Sequence, residues 1–296
     1  MMSVKILLLG ANGIVGTDIQ KKLNKVYQVE SYTHNELDIT NSNLIESKIR
    51  ELTPNLVINS AAYTNVEKAE TDQIHCYEVN TNAVKNLAEI CYLYNSTLIH
   101  LSTDYIYDGV RDYPYTEDDI GNPINIYGDS KNKADDYIQS CKCNSVILRT
   151  SWVYGDSGKN FVKSVLDRAK MNDELKIVCD QYGVPTSSNF LAEIIDKHLV
   201  KHCMKMSHNP YKNIFNICSS GYTTWFNFAE EIIKYASKFD PKYKIDVIPI
   251  QSDHYNTVAK RPSYTVLSNK KISTYFDINI QNWEYYLGFF LDSYIK

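Results

Sequence analysis

A disulfide framework is the first thing this chain lacks. Its seven cysteines stand at positions 76, 91, 141, 143, 179, 203 and 218. The count is odd, and only Cys141 and Cys143 lie close together. One intervening residue, without a second pair or a nearby histidine, is not a zinc pattern. Unpaired thiols in a reducing cytosol are the expectation, and with them a cytoplasmic location. Proline and glycine are scarce, at 8 and 11 in 296 residues, which excludes long disordered linkers. There is no basic excess either. A net charge of -4 excludes a broad nucleic-acid footprint but leaves room for a local basic pocket around a phosphorylated small ligand. No run approaches the ~20 apolar residues of a membrane span, so no membrane partner is expected. The run Ile6-Leu7-Leu8-Leu9 is too short for the apolar core of a signal peptide, meets glycine at once, and reads as a buried strand.

What is present is an ordinary globular composition, 44% hydrophobic and 22% charged, sufficient for one large domain or two modest ones. The first half alternates strand and helix patterns. Short apolar runs at 4–9, 56–59, 97–101 and 145–149 predict strands buried on both faces, with a further strand at 27–32. Apolar residues at helical spacing predict helices over 15–23, 44–52, 79–94 and 127–140. Such repeats imply a parallel sheet covered on both sides, the doubly wound, dinucleotide-binding architecture. After about residue 152 the alternation weakens. Helices are predicted at 161–170, 190–202 and 224–238, with short strands near 215–217 and 247–248. The expected organisation is a Rossmann-type domain over 1–152 and a smaller α/β substrate-binding lobe over 153–296, with some segments of the latter returning to the former.

Gly10-Ala11-Asn12-Gly13-Ile14-Val15-Gly16 joins the first strand to the first helix. Gly10 permits a tight turn, Gly13 lets backbone approach a pyrophosphate, and Gly16 lets the helix pack on the strand. The amides and dipole of the helix start then favour phosphate. The spacing is G-x-x-G-x-x-G, so the flanking strand and helix carry as much weight as the glycines. Asp38, about twenty residues on, has two open readings: a contact to the adenosine end of a cofactor, or a helix cap in Asp38-Ile39-Thr40-Asn41.

Tyr127 and Lys131 form Y-x-x-x-K. With 24 tyrosines and 26 lysines, chance alone supplies about two such pairs, so placement decides. This pair opens a helix after the fourth strand, which ends in Leu101-Ser102-Thr103-Asp104. Spacing four sets both side chains on one helix face. An ammonium beside a phenol is expected to lower its pKa from ~10 and fit it to protonate a developing alkoxide. Thr103, at a strand's carboxyl end, sits where open α/β sheets bind ligands and can hydrogen-bond the same oxygen.

These motifs, with Asn59-Ser60-Ala61-Ala62-Tyr63-Thr64, Arg149-Thr150-Ser151-Trp152-Val153-Tyr154-Gly155, Asp180-Gln181-Tyr182-Gly183-Val184-Pro185-Thr186, Thr223-Thr224-Trp225 and Lys260-Arg261-Pro262, resemble the extended short-chain dehydrogenase/reductase family over nearly the full length. Within it the likeness is to the dTDP-4-dehydrorhamnose reductase branch. The resemblance implies reduction of the 4-keto group of a nucleotide-linked 4-keto-6-deoxysugar for surface polysaccharide. It implies NADPH or NADH as cofactor, with NADPH slightly preferred. Gly13, Ile14 and Val15 would meet the pyrophosphate, joined by Gly10, Asn12 and Gly16 of the turn. Asp38 and Ile39 would lie at the adenosine, and Ala61, Ala62, Tyr63 and Ser102 along the cofactor. Lys131 would hold the nicotinamide ribose, Tyr127 would donate the proton and Thr103 would polarise the carbonyl. Thr103, Asp104 and Trp152 would contact the sugar, with Asn160, Gln181 and Arg261 toward the nucleotide diphosphate; core packing is the rival reading of Trp152. Members of the family can dimerise around magnesium through glutamates. Asp18 and Asn189 stand at the aligned places here, which puts that metal in doubt and leaves homodimerisation open.

Three rivals share the fold. Nucleotide-sugar dehydratases carry Thr-Asp-Glu where this chain has Thr103-Asp104-Tyr105, and epimerase-reductases place a cysteine near Tyr105. A cofactor-binding regulatory subunit like that of methionine adenosyltransferase would not need Thr103, Tyr127 and Lys131 together. Reduction is the favoured reading.

Overall fold

A computed structural model describes residues 4–171, 174–205 and 211–295. Six parallel strands form the main sheet: β1 (Lys5–Leu9), β2 (Gln28–Tyr32), β3 (Leu56–Asn59), β4 (Thr97–Thr103), β5 (Ser145–Thr150) and β6 (Lys212–Asn216), in the spatial order β6-β5-β4-β3-β1-β2. Alternation within the apolar runs divides the core. Ile6, Leu8, Ile58, Ile99, Val146 and Leu148 face one side, and Leu7, Leu9, Val57, Leu98 and Ile147 the other. Both sets are buried, which is why these strands read as continuous apolar runs. Helix α1 (Ile14–Leu23) and the helical stretch Ser188–Ile194 share the first side. Helices α2 (Ser42–Leu52), α3 (Ala83–Leu93) and α4 (Ile126–Ser140) cover the second.

Strand order reverses between β1 and β3, so a crevice opens at the carboxyl ends of the strands there. The helix expected over 79–94 begins earlier, at Gln73–Tyr77, and passes through a π turn at Glu78–Asn82 before α3. The extra residue in that turn accompanies buried Asn80, whose amide bonds both Tyr63 backbone groups and the Ser130 hydroxyl. The strand expected at 215–217 is the sixth strand of the main sheet and pairs with β5 along its whole length.

A third core gathers helices Phe161–Ala169, Trp225–Ala236 and Trp283–Ile295 against a parallel pair, Glu174–Val178 with Asp246–Ile250. Strand Tyr182–Gly183 pairs with Thr223–Thr224 beside the crevice. Among the described residues, no helix is long and apolar enough to cross a membrane.

Candidate active site

A cavity of about 680 Å³ lies at the switch point. The glycine turn, the ends of β3 and β4, one face of α4, and Trp152 line it.

The glycines act by different contacts. Gly10 has φ +78°, and a Cβ there would fall 2.6 Å from the Ala61 amide nitrogen. A Cβ on Gly16 would fall 2.1 Å from the Gly10 carbonyl oxygen, so Gly16 serves packing and does not line the cavity. Gly13 is the N-cap of α1, with no side-chain cap, and its added Cβ would meet only the Gly10 oxygen, at 3.3 Å. The first helical amides, which have no partner within the helix, therefore open at the cavity beside Gly13, Ile14 and Val15. Gly13→Val should fold, yet set a branched side chain where a phosphate must approach. We expect NADPH affinity to fall ~10-fold or more, read by titration calorimetry against an unchanged melting transition.

On the opposite wall, Thr103 accepts a hydrogen bond from the Tyr105 amide (3.2 Å) and donates to Asp104 Oδ1 (3.1 Å). Asp104 is buried, and its Oδ2 has no hydrogen-bond partner. Burial pushes its carboxyl up to about 7, against hydrogen bonds from Thr265 and Thr103. Asn125 caps α4 through the Gly128 amide (2.8 Å) and so sets where Tyr127 and Lys131 begin to turn inward. Tyr127 meets the Tyr105 ring edge-on at 6.0 Å.

The expectation that Lys131 draws the phenol down is corrected here. Burial dominates and raises the Tyr127 pKa above its ordinary value; hydrogen bonding with Thr103 opposes the rise, while Asp104 and Tyr105 add to it. Lys131 Nζ lies 3.0 Å from His100 Nε2 and donates to the Leu101 carbonyl at 2.6 Å. Burial pushes its pKa down to about 8.

The other expected site residues divide. Asn12, Ile39, Ala61, Ala62, Tyr63 and Ser102 line the cavity, although the Ser102 hydroxyl is turned to Asp135 Oδ2 (3.0 Å). Trp152 lines it too and is also packed: its ring stacks on Trp225 at 3.5 Å, and a Cβ on Gly183 would meet it at 2.3 Å. Asp38 does not line it. Its Oδ1 accepts from the Thr40 amide and hydroxyl, while Asn41, not Asp38, caps α2. Asn160, Gln181 and Arg261 also stand outside the lining. Asn160 caps the helix Phe161–Ala169, Gln181 donates to Ser252, and Arg261 pairs with Glu67 at 2.8 Å. These contacts engage them within the fold, although the buried Arg261 Nε has no hydrogen-bond partner. The sequence reading missed His75, Val79, Ser151 and Lys159, all in the lining. His75 and Val79 are four apart in one helical stretch, a spacing that marks a shared face.

Asp18 accepts from the Ser188 hydroxyl and, with Asn189 and Glu193, lines a second cavity of about 360 Å³. Among the described residues no group of three or more His, Cys, Asp or Glu is arranged to hold a metal.

Comparison with known proteins gives a consistent picture. Residues 4–295 match the family described as RmlD substrate binding domain. A dTDP-4-dehydrorhamnose reductase of Aggregatibacter actinomycetemcomitans is 36% identical over 95% of this chain and 96% of its own. The spore coat polysaccharide biosynthesis protein SpsK of Bacillus subtilis is 32% identical over 90% of both chains. Among solved structures, the Bacillus anthracis dTDP-4-dehydrorhamnose reductase in complex with NADP superposes with a TM-score of 0.91 at 31% identity, covering 99% of this chain and 100% of that one. A UDP-glucose 4-epimerase from Brucella ovis shares the fold at 17% identity and a TM-score of 0.80. The chain belongs to the RmlD substrate binding domain family, that of the dTDP-4-dehydrorhamnose reductases.

Proposed function

We propose that this chain is an NADPH-dependent oxidoreductase that converts dTDP-4-dehydro-L-rhamnose to dTDP-L-rhamnose, a step in polysaccharide biosynthesis. One observation carries the reading: Tyr127, Lys131, Thr103 and Asp104 share a single cavity with the open amides of α1. The walls suit a dinucleotide. Gly13 leaves backbone bare for a pyrophosphate, Gly10 lets the Ala61 backbone approach the turn, and small Ala61 and Ala62 continue the surface toward Lys131. When bound there, the reduced nicotinamide supplies hydride.

The chain's residues handle the proton and the charge. A ketone that accepts hydride becomes an alkoxide, so donors fixed near that oxygen help most in the transition state. Tyr127 keeps its proton at neutral pH because its pKa is raised, and it delivers that proton to the new alkoxide. Thr103, held by the Tyr105 amide, turns its hydroxyl proton from Asp104 Oδ1 to the same oxygen when substrate is bound. The free Oδ2 of Asp104 accepts from a sugar hydroxyl, and Trp152, fixed by Trp225, walls the sugar site. Lys131 binds the nicotinamide ribose.

Elimination is disfavoured by chemistry at one position. Where a dehydratase needs a glutamate base, Tyr105 has a phenol pushed up by burial to about 12. Cys76, which acts electrostatically on both Tyr127 and Lys131, is a buried thiol bonded to Ser130 and also raised by burial. It supplies no thiolate for epimerisation. All seven cysteines are free thiols, which accords with a cytoplasmic enzyme.

The test is a coupled assay that supplies dTDP- and UDP-linked 4-keto-6-deoxyhexoses and follows NADPH absorbance. Rapid oxidation with the dTDP-linked 4-keto sugar is expected. Cofactor binding without turnover of any of these substrates would leave a binding module instead.

A further inference from the structure

Two lysines line the cavity, and they differ in how they are engaged. Lys131 is buried and bonded to the Leu101 carbonyl and to His100. Lys159 is exposed, and its ammonium has no hydrogen bond or ion pair among the described residues. It stands on the loop 155–160, which leads into the helix Phe161–Ala169 of the third core. That loop is pinned at both ends. Asn160 donates to the Gly155 carbonyl at 2.8 Å and accepts from the Lys163 amide at 3.2 Å, while Lys163 bonds the Asp156 carbonyl. The backbone that carries Lys159 is therefore fixed, and only its side chain is free to move.

The same loop rests on the first residue of α1. A Cβ on Gly155 would fall 3.1 Å from Ile14 Cγ2, and one on Gly158, which has φ +66°, would fall 3.2 Å from Ile14 Cγ1. At this end of α1 the Gly13 amide is taken by the Gly10 carbonyl, and the Thr17 amide by the Gly13 carbonyl. The amides of Ile14 and Val15, between them, have no acceptor within the helix. An unpaired cation and unpaired N–H groups, brought from distant parts of the chain, thus border one end of one cavity. The helix start is equivalent to roughly half a positive charge, which falls short of balancing the charge on two linked phosphates. The other basic groups of the lining are engaged elsewhere. His34 stands 3.7 Å from Asp38, and His75 meets the Tyr63 ring edge-on at 5.5 Å.

We propose that Lys159 is a phosphate clamp, which closes from the loop 155–160 onto the pyrophosphate of a dinucleotide seated at the start of α1. It is a binding residue and takes no part in proton transfer. Three anionic groups compete for such a lysine: the cofactor pyrophosphate, the 2′-phosphate of NADPH, and the diphosphate of the sugar nucleotide. The contact of the loop with Ile14 favours the first. The proposal rests on the reductase reading only in that a dinucleotide occupies the cavity.

Calorimetric titration of the full-length protein with NADPH, NADH, ADP-ribose and dTDP separates the three. Lys159→Gln removes the charge from an exposed side chain and should melt with the wild type. Its Kd for NADPH, NADH and ADP-ribose, which share the pyrophosphate, is expected to rise by one common factor, about fivefold at low ionic strength. The factor should shrink in high salt, and dTDP should bind as before. Lys159→Arg keeps the charge and should retain most of the affinity. A loss confined to NADPH would assign Lys159 to the 2′-phosphate, and a loss for dTDP without one for the cofactors would assign it to the sugar nucleotide. Either overturns the clamp, as does equal affinity of Lys159→Gln and wild type for all four ligands. The two readings fail separately. Wild-type protein that binds no dinucleotide overturns both, whereas dinucleotide binding that Lys159→Gln leaves intact overturns the clamp alone.

Discussion

Tyr127→Phe is expected to lower kcat toward a dTDP-linked 4-keto-6-deoxyhexose by at least ~100-fold while leaving NADPH affinity almost unchanged. The substitution deletes one oxygen. The ring keeps its place because the Tyr105 ring braces it edge-on and α4 is still capped by Asn125. What disappears is the phenol proton that can pass to an alkoxide. Proton transfer from a positioned acid contributes typically ~10²–10⁴-fold, and the loss falls on the transition state, not on binding. Two companions sharpen the assignment. Thr103→Val should cost turnover with less effect on the cofactor, because its hydroxyl serves the reacting oxygen. Lys131→Ala should cost both turnover and cofactor affinity. Steady-state NADPH oxidation and calorimetric titration of the three variants separate these outcomes. Wild-type turnover by Tyr127→Phe would show that Tyr127 is not the acid.

The features of this site that sequence reveals are local ones. A strand, a glycine turn and an amphipathic helix are contiguous, so the phosphate end of the cavity is legible from residues 4–23. Tyr127 and Lys131 share a face because a helix repeats every 3.6 residues, whatever surrounds it. What sequence cannot supply is the partner across the fold. Lys131 was expected to act on Tyr127, four residues away. In the structure its nitrogen turns instead to His100, 31 residues away, and burial sets both pKa values. Asn160, Gln181 and Arg261 have the right chemistry for a diphosphate or a base, but a cap, a serine and a glutamate within the fold engage them. Asp38 has the spacing of a ribose contact, yet its carboxylate closes a turn on Thr40. The sixth sheet strand shows the same limit. Its apolar core, Ile214 and Phe215, is short, and only pairing with β5 reveals that it extends the parallel sheet.

Arg149→Met is expected to destabilise the protein by about 3–5 kcal/mol, because it leaves a buried carboxylate without its cation. Arg149 lies opposite Ser102 in the β4–β5 register and reaches under α4. Its Nε donates to Asp135 Oδ2 at 3.1 Å, and one terminal nitrogen donates to the Tyr107 hydroxyl at 2.9 Å. Ser102 also donates to Asp135, at 3.0 Å. The pair is only 6% and 1% exposed, so water cannot take over when the guanidinium is removed. Burial already raises the Asp135 pKa, and Arg149 is the largest influence opposing the rise. In the variant the folded value must climb further above the unfolded one. A carboxyl raised in this way destabilises the folded state increasingly as pH rises above its unfolded value. The gap between variant and wild type should therefore narrow as pH is lowered from neutral through the raised Asp135 value. Urea unfolding at several pH values measures it. The double variant Arg149→Met/Asp135→Leu removes charge and countercharge together and should recover much of the loss. If the single variant is as stable as wild type at neutral pH, or the double variant is no better than the single, then the pair does not hold α4 to the sheet. The same layer seats Lys131 one turn before Asp135, so the single variant should also lose turnover beyond its loss of folded protein.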